Sequence, residues 1–202
     1  MRSRRPPSAS PAPDRVTPAS RRFVALLRGI NVGRAKRVAM ADLRALVESL
    51  GHHDVRTLLN SGNVVFSVQG RAASPAIAAA IERALAERVG IESRVTVLSA
   101  TEMASVVTEN PFAGSAADPA RLLVAFCRDA EGPRALAPLL AEEWGTDALA
   151  VGSRAAYLQC TGGILESGLV EAVGHALRDG VTTRNWSTVQ KLHALLESPG
   201  DA

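Results

Sequence analysis

Residues 28 to 37, RGINVGRAKR, place four basic side chains, an asparagine and two glycines in one short stretch with no acid among them. Such a composition can hold an anion. Glycines let backbone N–H groups approach closely, and Arg28, Arg34, Lys36 and Arg37 supply compensating charge. The stretch runs into an apolar repeat at helical spacing, so it should end at a helix N-terminus, where unpaired N–H groups and the dipole also favour negative charge. Two further groups carry related chemistry. Ser61-Gly62-Asn63 offers a hydroxyl and an amide at a tight turn, and Arg184-Asn185 with Lys191 offers two cations near another helix start. The candidate ligand-binding set is therefore Arg28, Gly29, Asn31, Gly33, Lys36, Arg37, Ser61, Asn63, Arg184, Asn185 and Lys191. Structural alternatives stand beside these groups. The glycines can be turn residues, Arg28 can brace the hairpin turn, Lys36 and Arg37 can form a solvated face, Asn185 can cap a helix and Lys191 can lie exposed on it.

Other reactive patterns are missing from the sequence. It has no G-x-x-x-x-G-K-[ST] and no G-x-G-x-x-G, which excludes the common phosphate and dinucleotide loops. His52 and His53 follow a helix end, while His175 and His193 sit on helices without ligand-spaced carboxylate or cysteine partners, so no metal or other cofactor is expected. No local Ser/His/Asp or Cys/His set is present. Asp42, Glu102 and Glu166 fit helix surfaces or caps. The residues leave open whether the protein is an enzyme.

Hydrophobic spacing supplies the elements that must position these groups. Phe23 to Leu27 is a short, continuously apolar run bounded by Arg28-Gly29 and reads as a buried strand. Met40, Leu43, Val47 and Leu50 recur at helical spacing before Gly51. VRTLLNSGNVVFSV gives two strands around Asn60-Ser61-Gly62-Asn63. Ser74 as N-cap and Pro75 at N1 open a helix with the stripe Ile77, Ile81, Leu85 and Val89. Arg94 to Leu98 closes a β-α-β-β-α-β order. Ser99 and Glu102 have the spacing of a capping box for a connecting helix that stops before Asn110-Pro111. A second set follows: strand Leu122 to Cys127, a helix from Pro133 through Leu136, Leu139, Leu140 and Trp144, and two strands about Gly152-Ser153. A helix through Leu165, Leu169, Val173 and Leu177 and a short strand from Val181 complete it. Trp186, Val189, Leu192 and Leu196 form a final helix.

The expected fold is α+β: two ferredoxin-like (βαββαβ) units with a connecting helix and a C-terminal helix. The units span residues 23–98 and 119–197, with a linker helix and loop at 99–118 and a disordered basic tail at 1–22. In each unit the loop after the first strand and the turn between the second and third strands share one end of the sheet. Arg28 to Gly33 should therefore lie beside Ser61 to Asn63. Because FVALL is apolar on both faces, its sheet should be covered on both sides.

The chain has 202 residues, is 47% hydrophobic, and carries a net charge of +3. Six arginines against Asp14 give residues 1–22 a net charge of +5, so the remainder is slightly acidic at −2. The pI of about 9.4 thus reflects the tail, and gives no general ground for nucleic-acid affinity. No run approaches the roughly 20 apolar residues of a membrane span, and the N-terminus lacks the apolar core of a secretory signal. The expectation is a cytoplasmic protein with no membrane partner, its Cys127 and Cys160 reduced core residues.

The blocks FVALLRGINVG, MADLRALVESLG, VRTLLNSGNVVF and TTRNWSTVQKL together resemble the bacterial family known as domain of unknown function 1697, over about residues 23 to 196. The resemblance implies a duplicated α+β fold. It puts Arg28, Gly29, Asn31, Ser61, Gly62, Asn63, Arg184, Asn185, Trp186 and Lys191 on signature positions. Two departures stand out. The family usually has a second glycine and then a basic-Asn-basic run after Gly33, where Arg34 and Ala35 intervene here, and Ser167-Gly168-Leu169 stands where the family tends to S-K-L.

Three functions remain in view. The first is binding of a small anionic, phosphate-containing ligand at the first strand–helix loop, with or without catalysis. Acylphosphatases offer a fold-level analogy in which Arg28, Arg37 and Asn60 or Asn63 would stabilise charge and position water. The second is an RNA or nucleotide binding module, opposed by an aromatic content of 3% and a covered sheet. The third is a non-catalytic interaction protein whose signature residues are structural.

Overall fold

The computed structural model describes residues 21–32, 36–114 and 118–198. Gly33 and most of the basic tail lie outside the described residues. The chain is α+β, with two four-stranded antiparallel sheets and six α-helices among the described residues.

The first sheet contains β1 (Arg21–Leu27), β2 (His53–Leu58), β3 (Asn63–Val68) and β4 (Val95–Ser99) in the order β2-β3-β1-β4. β1 begins two residues before its apolar run because Arg21 and Arg22 continue the ladder opposite Val68 and Ser67. The second sheet contains β5 (Leu122–Cys127), β6 (Ala148–Val151), β7 (Ala155–Gln159) and β8 (Val181–Asn185) in the order β6-β7-β5-β8. The helices are α1 (Met40–Ser49), α2 (Ser74–Val89), α3 (Ala100–Thr108), α4 (Gly132–Ala135), α5 (Gly168–Leu177) and α6 (Trp186–Glu197).

Alternation along the central strands divides the core into three layers. Phe23, Ala25 and Leu27 of β1 join Leu43 and Val47 of α1 and Ile81 and Leu85 of α2 on one outer face. Leu123 and Ala125 of β5 join Leu136 and, from α5, Leu169 and Val173 on the other. Val24, Leu26 and Val65 of the first sheet share the middle layer with Val124, Phe126 and Tyr157 of the second. Met103 and Val106 of α3 and Trp186, Val189 and Leu192 of α6 fill the space between them. The expected covering of β1 on both sides is realised: Phe23 to Leu27 are each at most 1% exposed.

Local signals held in most places and failed in three. The capping box forms, with the Ser99 hydroxyl accepting from the Glu102 N–H and the Glu102 carboxylate accepting from the Ser99 N–H at 2.8 Å. Ser74, however, does not cap α2. The N-cap is Ala73, and Ser74 is instead turned toward Glu102 at 3.4 Å. The expected helix from Pro133 to Trp144 breaks into α4 and a short 3-10 helix at Ala137–Ala141. Pro138 inside that run has no N–H to donate and its ring crowds the preceding turn, which leaves Leu140 53% exposed. Finally, α5 starts at Gly168 with Ser167 as its cap, so Leu165 lies outside the helix and is fully exposed.

Candidate functional site

The loop after β1 and the turn between β2 and β3 do meet. The Leu27 N–H donates to the Gly62 carbonyl at 2.9 Å, and the Asn31 amide donates to the Asn60 carbonyl at 2.7 Å. Gly62 is required there twice over. Its φ is +72°, and a Cβ would stand 2.7 Å from Ile30 and 2.8 Å from Leu27. Asn31 adopts φ +56° and uses its side chain on its own loop, exchanging bonds with both the N–H and C=O of Val38 at 2.9 Å. It is therefore a loop brace with its amide occupied.

Arg184 reaches this junction from β8, in the other half of the chain. It is 9% exposed, and its five N–H groups meet five neutral acceptors. Nε donates to Asn63 Oδ1, one terminal nitrogen to Thr182 Oγ1 and the Thr183 carbonyl, and the other to the carbonyls of Leu27 and Ser61. No carboxylate pairs with it among the described residues, and burial lowers its pKa to about 10. Asn63, fully buried, is oriented to receive it because its amide nitrogen donates to the Leu58 carbonyl and Ser61 Oγ, both at 2.9 Å.

Arg28 makes the reciprocal crossing. Its guanidinium donates to the carbonyls of Arg178, just after α5, and Val181, the first residue of β8, with Asp179 at 3.9 Å. Its own carbonyl accepts from Ser93 Oγ at 2.8 Å. At this junction each half thus lends an arginine to the backbone of the other.

Between the two crossings lies a cleft of about 410 Å³. Arg28, Ser61, Thr182, Thr183 and Arg184 give it a polar side. Ile30 and Val32 from the loop, Leu158 from β7 and Val170, Val173 and Gly174 from α5 form an apolar wall. No carboxylate lines it among the described residues. A neighbouring cleft of about 480 Å³ shares Arg28 and Gly29, but there Arg28, Lys36 and Arg94 face Glu82, Glu92 and Asp179, so its charges balance.

The candidate set consequently divides. Arg28, Gly29, Ser61 and Arg184 line the acid-free cleft, and Lys36 lines the charge-balanced one. Asn31 and Asn63 hold the backbone behind them. Asn185 caps α6, accepting from the Thr188 N–H at 3.0 Å, and Lys191 and Arg37 are exposed without lining either cleft. The wall from α5 and the Thr182 and Thr183 hydroxyls were missed by motif reading. Gly174, an isolated glycine within a helical pattern, was the available signal. His175 and His193 do have carboxylate neighbours one turn away, Glu171 at 3.8 Å and Glu197 at 3.6 Å, contrary to expectation. No group of three metal-ligating side chains occurs among the described residues.

Two antiparallel sheets around a shared core, with an acid-free cleft at their junction, define a two-sheet α+β protein. A family model described as "Protein of unknown function (DUF1697)" matches residues 21–157, more than half of the chain, and the chain belongs to that family. The match stops before Arg184-Asn185-Trp186. Among solved structures, the conserved bacterial protein SP0830 from Streptococcus pneumoniae is similar in fold, with a TM-score of 0.69 and 22% identity. The alignment covers 89% of this chain and 100% of that one. No curated protein matches.

Proposed function

We propose that this protein binds a small anionic ligand in the cleft between its first strand–helix loop and β8. The observation that carries the reading is the state of the polar groups there. The carbonyls of Leu27, Ser61, Val181 and Thr183 already accept from Arg28 or Arg184. The side chains still offer donors: the rest of the Arg28 guanidinium and the hydroxyls of Ser61, Thr182 and Thr183. A site with spare donors, two guanidinium groups and, although Asp179 stands 3.9 Å from Arg28 on its far side, no acid among its described lining residues suits an oxyanion, whether phosphate or carboxylate.

The reading that the signature residues are structural accounts for a different part of the set. Asn31, Asn63 and Arg184 spend their side chains on bracing, and the brace shapes the cleft. Nucleic acid is disfavoured, because the first sheet's Phe23 and Phe66 are buried and offer no open stacking platform. We read each four-stranded sheet, with its 2-3-1-4 type of order, as a ferredoxin-like unit. The free, buried Cys127 and Cys160 support a reducing, cytoplasmic setting, and no helix among the described residues is long and apolar enough to cross a membrane.

The test compares Thr183→Glu with Thr183→Gln. Thr183 is an exposed strand position on the rim of the cleft, so both variants should fold. A panel of nucleotides, sugar phosphates, acyl phosphates and carboxylates is screened by thermal shift. At a hundredfold excess over Kd, a ligand of the folded state adds about 2.7 kcal/mol of stability. Stabilisation by an anion in the wild type and the Gln variant, lost in the Glu variant, supports the assignment. Equal stabilisation of all three places the anion elsewhere.

A further inference from the structure

The apolar half of the cleft specifies the ligand further. Val170 and Gly174 are one turn apart on α5, and Val173 lies between them; all three line the same cleft as Arg28 and the hydroxyls. A Cβ built on Gly174 meets no atom within 4 Å, so the missing side chain leaves open space in the wall. Val32, 72% exposed, stands on the loop side of the same cleft. A bare inorganic ion would use the donors and leave this wall wet.

We infer that the ligand is an amphipathic anion: an oxyanion head held by Arg28, Ser61 and Thr182, carrying an aliphatic body that lies along Val170, Val173 and Gly174. This rests on the proposed anion site and names the chemistry of the rest of the molecule. The head supplies charge complementarity at the acid-free end. The chain displaces water from the α5 wall and gains the transfer free energy of each buried methylene. Gly174 sets how far the chain can run, since any side chain there would occupy its path.

Linear alkanoates from acetate to decanoate, the matching n-alkanols and inorganic phosphate are titrated calorimetrically into the full-length wild type and into Gly174→Leu. Gly174→Ala serves as a milder variant if the leucine lowers the melting temperature. The expected result is wild-type alkanoate affinity that rises about three- to fourfold per added methylene and then levels off. In Gly174→Leu the rise stops several carbons earlier than in the wild type. Phosphate and acetate that bind while chain length has no effect overturn the amphipathic ligand and leave the anion site standing. Alkanols that bind as tightly as alkanoates overturn the anion site instead. Failure of every member, phosphate included, overturns both.

Discussion

At the residue scale, the buried guanidinium of Arg184 decides most about this junction. Removing a side chain that satisfies carbonyls in two strands leaves several buried acceptors unpaired, each worth about 1–3 kcal/mol. Arg184→Met should therefore destabilise the protein by about 2–4 kcal/mol in urea unfolding, the relief of desolvating the cation offsetting part of the loss. Arg184→Lys should fall between, because three donors on a point charge cannot reach five acceptors arranged for a planar fork. Histidine 52 gives a pH signature of its own. Its ring stacks on Phe66 at 4.8 Å, and burial, with a smaller contribution from His53, lowers its pKa below 6.5. Between that lowered value and 6.5 the unfolded chain binds more protons, so stability should rise with pH across the window, and the full cost is present below it. His52→Phe, which keeps the stack, should flatten the part of the stability profile just below pH 6.5. Motif reading found Arg184 and Asn63 by their types. It could not tell that they face one another, because Arg184 and Asn63 are 121 residues apart in the chain.

At the element scale, the capping box of α3 and the wall of α5 make separable predictions. Ser99→Ala should cost about 1 kcal/mol, measured as a lowered urea midpoint. The Glu102 carboxylate would keep its bond to the residue 99 N–H and its contact with Arg154 at 3.4 Å. Gly174→Ala removes a helix-interior glycine where a methyl group has room, and should raise stability by up to about 1 kcal/mol. Apolar runs and turn signals located seven of the eight strands of the described chain to within a few residues, and the order of elements supplied the eighth, from Val181. Length was the weak point. The run after Pro133 has a helical stripe, yet Pro138 forbids the continuous helix that stripe suggests. Leu165 fits the α5 spacing but precedes the Ser167 cap, whose side chain accepts from the Val170 N–H. In both places a single backbone constraint outranked the pattern.

At the scale of the whole molecule, the two halves share one core. Residues of β1 and β3 and of β5 and β7 are buried together against α3 and α6. Neither half covers its own inner sheet face. Calorimetry should then show one transition with equal calorimetric and van't Hoff enthalpies. A fragment of residues 21–98 should fail to give a cooperative transition, and two resolved transitions in the intact chain would refute the shared core. The order of elements revealed two similar units, but nothing in that order says that their sheets face each other. That arrangement depends on α6, which contacts strands of both sheets and follows the last of them.

The exchange of arginines between the halves has a consequence for synthesis. As the chain leaves the ribosome, β1 and the turn at Ser61 emerge early, while Arg184 and then α6 emerge more than a hundred residues later. Until then the carbonyls of Leu27 and Ser61 lack their guanidinium partner, and Val24, Leu26 and Val65 lack their cover. The nascent first half, with only α3 to lie on the inner face of its sheet, therefore keeps part of that apolar face uncovered until the second half has been made, a state open to aggregation. Chains arrested before Arg184 should collect on holdase chaperones or in the insoluble fraction, and release should begin only once the segment through Leu196 has been made.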